Sequence, residues 1–275
     1  MVKMIFSDLD GTFLTPDKII TAENRNMLDV AYTRGIQFVP CTGRNLSDIP
    51  SELLAHPSVS YAVCCNGSLV VDAKTGRVLR ETPIEKRVVL GLYNELSSLK
   101  ITFDVFADRR VYTERSRFGY IDTVDLSGPT RDFIKAGRTL LDCSMEELMM
   151  QTGAVCRLNV FYHTKEDRDL VWDAVDRRSE LRRSTSLPCN VEITNVCAHK
   201  GAALEWLCGF LDVSTADVVA FGDNENDTTM LRAAGDGVAM ENADHVCKLA
   251  ADHLCASCSE SGVSRYLIGR LDCLT

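Results

Sequence analysis

Apolar residues follow two rhythms along the chain. Short, mostly apolar runs at residues 4–6, 36–41, 61–65, 218–221 and 237–240 each stop abruptly at polar residues. Runs of this length predict strands covered on both faces, as in a parallel sheet. Between them the spacing is helical. Thr21 is placed to cap a helix and Glu23 complements its dipole; Met27, Val30, Ala31 and Arg34 repeat at helical intervals before Gly35 closes it. Further helices are predicted over residues 45–54, on the stripe Leu204, Leu207, Cys208 and Leu211, and over 228–234. Strand–helix–strand units imply parallel pairing with right-handed crossovers, so the carboxyl ends of these strands share one edge.

The middle of the chain reads differently. Asn66-Gly67 is a strong turn signal, and the apolar run 69–71 returns as Val78-Leu79 across Lys74-Thr75-Gly76, a hairpin. Residues 86–99 predict a helix with Val89, Leu92 and Leu96 on one stripe, followed by short β runs at 101–106 and 110–113. Residues 114–154 are mixed, with a helix expected around 145–150. Then come a strand at 156–163, a helix at 165–179 and a hairpin over 181–194 broken at Pro188. Antiparallel hairpins interleaved with helices indicate a small α+β domain inserted into an α/β core. The expected division is 1–81 with 195–275 for the core and 82–194 for the insert, with a tail beyond Met240 that alternates loop and helix.

Composition narrows the function classes. At 275 residues, 45% hydrophobic and 25% charged, the chain can bury a large core and carries no disorder signature. No run reaches the roughly 18 apolar residues of a membrane span. Only three apolar residues separate Lys3 from the first acidic motif, too few for a secretion signal, so the expected location is the cytoplasm. A net charge of −9 argues against nucleic acid or anionic membrane as the main partner. Arg177, Arg178, Arg182 and Arg183 are read as a solvated face or a surface above an anionic substrate. The twelve cysteines are scattered and expected to be reduced thiols. In the tail, His245, Cys247, His253, Cys255 and Cys258 match no standard finger spacing; small buried residues and a zinc site are both open readings.

Candidate chemistry gathers at the strand ends. Asp8 and Asp10 follow the first run, and Gly11 permits a tight turn that lets both lean toward one point. Crowded carboxylates repel unless a cation lies between them, and Mg2+ is the natural hard cation for oxygen ligands. One of the pair acting as nucleophile would give phosphoryl transfer, although Asp-x-Asp-Gly is also an ordinary exit from a strand into a turn. At the same edge stand Thr42-Gly43, Asn66, and Asp223 with Asn226 and Asp227. Carboxylates suit a metal, whereas hydroxyl, amide and backbone donors suit phosphoryl oxygens. Lys200 opens a helix, where the dipole disfavours a cation, and adds the one positive charge such a site needs.

Asp8-Leu-Asp-Gly-Thr12, Thr42-Gly-Arg44, Lys200-Gly201 and Gly222-Asp-Asn-Glu-Asn-Asp227 resemble, in order, the four motifs of the haloacid dehalogenase superfamily of phosphotransferases. The stretch after Asn66-Gly67 is similar to the α+β cap of its Cof-type subgroup, so the resemblance covers essentially the whole chain. It implies a Rossmann-like parallel-sheet core with an inserted cap that closes over the edge and sets specificity. It implies Asp8 as nucleophile and metal ligand, and Asp10 as a protonated donor, later a base, whose backbone carbonyl also binds Mg2+. Thr42, Gly43, Lys200 and Asn226 would hold the phosphoryl group, Asp223 would complete the metal ligands, and Asn66 and Asp227 would support them. An Asp at position 10 fits phosphatases and mutases, whereas the ion-pumping relatives carry Thr there. Cap contacts are expected on its hairpins, with Phe103, Asp104, Asp108 and Arg110 as candidates, and Glu241 stands where the subgroup more often has Gly. The expected function is a Mg2+-dependent phosphatase of a small phosphorylated metabolite, a sugar phosphate first. A phosphomannomutase-like mutase using the same nucleophile and a non-enzymatic binding module are the alternatives, the intact set Asp8, Asp10, Lys200 and Asp223 speaking against the last.

Overall fold

In the computed structural model, which describes residues 2–271, Met4–Ser7 (β1) is buried along its whole length. The helix Ala22–Thr33 (α1) follows, its first turn closed by the Thr21 hydroxyl accepting the Asn24 N–H. The chain returns as Gln37–Pro40 (β2), parallel to β1 with Met4 opposite Gln37. The helix expected over 45–54 is divided. Pro50 has no N–H to carry a helix through it, so a 3-10 turn at Leu46–Asp48 precedes Ser51–Ala55 (α2). Tyr61–Cys64 (β3), Leu69–Asp72 (β4) and Val78–Glu81 (β5) form a three-stranded sheet. β3 runs antiparallel to β4, and a parallel bridge between Cys41 and Val63 keeps its carboxyl end level with that of β2.

The insert comprises Lys86–Leu96 (α3), Asp104–Ala107 (β6), Arg110–Glu114 (β7), Arg115–Phe118 (α4), Gly128–Ala136 (α5), Arg138–Leu141 (β8), Met145–Gln151 (α6), Val155–Phe161 (β9), Lys165–Asp176 (α7), Leu181–Ser184 (β10) and Asn190–Asn195 (β11). Its six strands lie in the order β10-β11-β9-β6-β7-β8. Pairing is antiparallel except that β8 runs parallel to β7, a strand that its half-buried Arg-Thr-Leu-Leu pattern did not signal. Val105, Leu158, Val160, Val191 and Ile193 point to one face, where Val89 and Leu92 of α3 and Val171 and Val175 of α7 cover them. A capping box between Ser144 and Glu147 starts α6. The basic cluster is largely neutralised within the insert: Arg177 and Arg178 pair with Glu95, and Arg183 with Asp176.

Lys200–Phe210 (α8), Val218–Gly222 (β12), Thr228–Ala233 (α9), Asp236–Met240 (β13), His245–Ala250 (α10), His253–Cys255 (β14) and Gly262–Leu271 (α11) complete the chain. The main sheet is five-stranded and parallel throughout, in the order β14-β13-β12-β1-β2. Its edge strand β14 lies where loop and helix were expected, because three residues are too few to show a period. The chain divides into two compact units, Met1–Arg80 with His199–Thr275, and Glu81–Ala198. The insert thus extends past the expected boundary at 194. Asn195 pairs with Leu181 and donates to the Pro83 carbonyl at 2.9 Å, while the Thr194 hydroxyl donates to Ala198 O at 2.8 Å. Among the described residues no helix is long and apolar enough to cross a membrane.

Candidate active site

Asp8 directly follows β1, and its N–H donates to Phe221 O at 3.0 Å, tying it to the neighbouring strand β12. The chain then turns at Gly11, with φ +82°, where a Cβ would stand 2.4 Å from Asp223 Oδ2. Only glycine lets the first motif approach the fourth so closely. Asp223 is fixed from both sides, its Oδ1 accepting the Thr12 hydroxyl and its Oδ2 the Asn224 side-chain amide, each at 2.8 Å. Lys200, 0% exposed, donates through Nζ to Asp8 Oδ1 at 2.6 Å and to Asp227 Oδ1 at 2.5 Å. Asp227 Oδ2 accepts the N–H groups of Asp223 at 2.9 Å and Asn224 at 3.1 Å, so this carboxylate shapes the loop that carries Asp223.

Ligand oxygens of Asp8, Asp223 and Asp227 lie within 4.8 Å of one another, the one such group of metal-ligating side chains among the described residues. Burial pushes the Asp8 carboxyl up; Lys200 draws it back, Asp227 and Asp10 raise it again, and the balance stands at about 7. Asp223 is held well above the carboxylate range by burial and then by Asp8 and Asp227. Burial alone would strip the proton from Lys200, but Asp227 and Asp8 hold it well above the ordinary lysine value. Three buried carboxylates facing one ammonium are short of positive charge, and a hard divalent cation fits this all-oxygen set. Since Asp227 spends its oxygens on Lys200 and two backbone N–H groups, Asp8 and Asp223 are the side chains best placed to hold it.

The Asp10 carboxylate stands apart from this cluster. Arg44 reaches it with Nε and Nη2, both at 2.7 Å, and Lys18 Nζ adds a contact at 2.5 Å. Burial opposes ionisation, but Arg44 and then Lys18 overcome it and hold Asp10 at about 2. The protonated donor expected from the sequence is therefore an ion-paired carboxylate here, shared between two cations. Arg44 was visible in Thr42-Gly-Arg44 but had no assigned role, although a cation at the same sheet edge as Asp10 could have been paired with it by charge. Lys18 gives no signal, being a lone cation in a loop that only the folded chain brings to Asp10.

Thr42 is buried, its N–H donating to Val63 O at 2.9 Å and its carbonyl accepting the Asn66 N–H at 3.0 Å. Its hydroxyl accepts the Arg44 N–H at 3.2 Å across Gly43 and keeps its own proton to donate. Asn226 Nδ2 donates to Asn66 Oδ1 at 3.2 Å. The structure thus gathers Asp8, Lys200, Asp223 and Asp227 in direct contact and joins Thr42, Asn66 and Asn226 through hydrogen bonds. The hairpin candidates fare differently. Asp104 is locked by Arg138 and Thr113, both at 2.6 Å, Phe103 lies in the insert's core, and Asp108 accepts the Gly153 N–H. These are supports for the insert.

Two smaller expectations also change. Glu241 lies outside the left-handed region, so its turn needs no glycine; Ala243 N–H closes it on Met240 O at 2.9 Å, and Asn242 Nδ2 donates to Gly11 O at 2.8 Å. The tail's sulfur and imidazole groups do not converge. Cys247 is buried on α10, His253 faces Asp236, and Cys255 Sγ rests 3.4 Å from Met240 Sδ. Cys41, one residue before Thr42, is fully buried, and that burial pushes its thiol far up.

A parallel sheet thus brings acids from two adjacent strand ends onto one buried lysine. The chain belongs to the haloacid dehalogenase-like hydrolases, whose family model matches residues 5–267. It is 28% identical to Phosphatase YwpJ of Bacillus subtilis (strain 168) over 284 residues, covering 97% of this chain and 99% of that protein. It is also 28% identical to the pyridoxal phosphate phosphatase YbhA of Escherichia coli (strain K12) over 269 residues, 98% of each. Among solved structures, a haloacid dehalogenase-like hydrolase from B. subtilis is similar with a TM-score of 0.86 at 26% identity, covering 100% of both chains. The subclass IIB sugar phosphatase BT4131 shares the fold, with a TM-score of 0.83 at 21% identity over 98% of each chain.

Proposed function

We propose that the protein is a Mg2+-dependent phosphatase that hydrolyses a small phosphorylated metabolite by way of a phosphoryl group carried on Asp8. The observation that carries this reading is Lys200, buried without exposure between Asp8 and Asp227 and beside Asp223. A buried carboxylate paired with an ammonium and facing further acids is costly unless the site is completed by a cation and an anionic substrate. The pyridoxal phosphate phosphatase among the relatives supports the substrate class, and a sugar phosphate is the first to test.

Asp8, Asp223 and the Asp10 carbonyl would hold Mg2+, which supplies positive charge to the phosphoryl oxygens. Asp8 attacks phosphorus in line while Lys200 keeps it ionised and balances the gathering charge. The Thr42 hydroxyl, the Gly43 N–H and the Asn226 amide take the remaining phosphoryl oxygens. The ester oxygen departs with a proton from Asp10, which can hold that proton only after leaving Arg44 and Lys18. Water then attacks the phosphoryl group on Asp8, giving its proton back to Asp10, and phosphate leaves with Asp8 restored. Selectivity for the leaving group is assigned to the insert.

Phosphate release from a panel of phosphorylated sugars and cofactors tests the reading, with Mg2+ or EDTA and with Asp8→Asn. Release by the wild type with Mg2+ that stops in EDTA and falls at least about a thousandfold in Asp8→Asn is expected, the loss of a group acting in the transition state. Folded protein that releases phosphate from none of the compounds sinks it.

A further inference from the structure

Cys65, Asn66 and Gly67 occupy left-handed backbone one after another, with φ of +50°, +56° and +97°. Two successive non-glycine residues in that region persist only where their surroundings over-determine them, and such strain gathers at functional sites. The surroundings are visible. Cys65 N–H donates to Arg44 O and Asn66 N–H to Thr42 O, both at 3.0 Å. On the other side Gly67 lies against the start of α8, where a Cβ would stand 2.4 Å from His199 O and 3.0 Å from Lys200 N. The turn is wedged between the exit from β2 and the backbone of Lys200, and this fixes the place of the buried Asn66 side chain.

That side chain meets Asn226. Asn66 Oδ1 accepts Asn226 Nδ2 at 3.2 Å, while Asn226 Oδ1 is buried with no hydrogen-bond partner. A phosphoryl oxygen accepts hydrogen bonds, so it calls for an N–H from Asn226. A primary amide nitrogen carries two: Asn66 Oδ1 accepts one from Asn226 Nδ2, which fixes the amide, and the second is left to donate to the ligand. We propose that Asn66 is a positioning residue that sets which end of the Asn226 amide meets the phosphoryl group. The proposal deepens the phosphatase reading and rests on it for the identity of the ligand.

The test is a double-mutant cycle on binding, independent of turnover. Calorimetry with inorganic phosphate and Mg2+ gives the Kd for wild type, Asn66→Gly, Asn226→Ala and the double variant. Glycine suits a φ of +56°, so Asn66→Gly removes the amide without straining the turn, and a thermal melt of each variant checks that it is folded. Each single variant is expected to bind phosphate about tenfold more weakly, the loss of roughly one hydrogen bond to a charged group. The double variant should bind no more weakly than Asn226→Ala, because Asn66 acts through it. Wild-type affinity in Asn66→Gly, losses that multiply in the double variant, or a wild type that takes up no phosphate would each overturn the proposal. A wild type that binds phosphate but hydrolyses no ester overturns the phosphatase reading alone, and the cycle still decides the role of Asn66.

Discussion

Asp8 and Asp10 are the same side chain two positions apart, and their surroundings send them in opposite directions. Asp8 shares a single buried ammonium with Asp227 and is pushed up to about 7; Asp10 meets two cations and is held at about 2. The sign of each effect on stability follows. For Asp10 the folded value lies below the ordinary 3.8, so its contribution is present above that pH and lost as pH falls toward 2. For Asp8 the folded value lies above 3.8, so its contribution is present at acid pH and lost as pH rises to about 7. Melting temperatures measured between pH 5 and pH 2 should therefore fall more steeply for wild type than for Asp10→Asn, which has no carboxylate to protonate. Parallel curves would show that Arg44 and Lys18 do not hold Asp10 as an anion.

Among elements, the turn between β1 and Thr12 has little room for a side chain. Gly11→Ala would force a Cβ against Asp223 Oδ2 at a φ that disfavours any side chain. The expected result is a loss of about 1–3 kcal/mol in urea unfolding and a Mg2+ affinity weakened about tenfold or more by calorimetry, one mismatched ligand's worth. Unchanged Mg2+ binding would separate Asp223 from the metal site. What the sequence made legible at this scale tracks burial. β1, β12 and β13 announce themselves because strands covered on both faces must be apolar throughout, and Asp8, Thr42 and Asp223 follow from where those runs stop. Pro50 was a readable break that helical spacing obscured. β14 is too short to carry a period, and β8 pairs parallel through contacts that no local pattern encodes. The Arg44–Asp10 and Asn66–Asn226 pairs join residues 34 and 160 positions apart, and only tertiary folding brings them together.

On the scale of the whole molecule, the insert has its own core and its own closure. Its apolar cluster draws on α3, α6, α7 and four or more strands of one sheet, and its ends are tied together by Asn195 and Pro83. Residues 81–198 expressed alone should therefore unfold cooperatively in urea, with circular dichroism and tryptophan fluorescence following one transition. Non-coincident transitions would mean that the insert borrows its stability from the rest of the chain.

The buried thiol beside Thr42 has a consequence under oxidising conditions. Sulfur is attacked by peroxide as the thiolate, and a thiol pushed as high as that of Cys41 supplies almost none at neutral pH. Among the described residues, Cys197 on the insert is the exposed thiol. The chemistry proposed for Asp8, with its neighbouring sulfur shut away, is expected to continue at peroxide concentrations that silence enzymes attacking through cysteine.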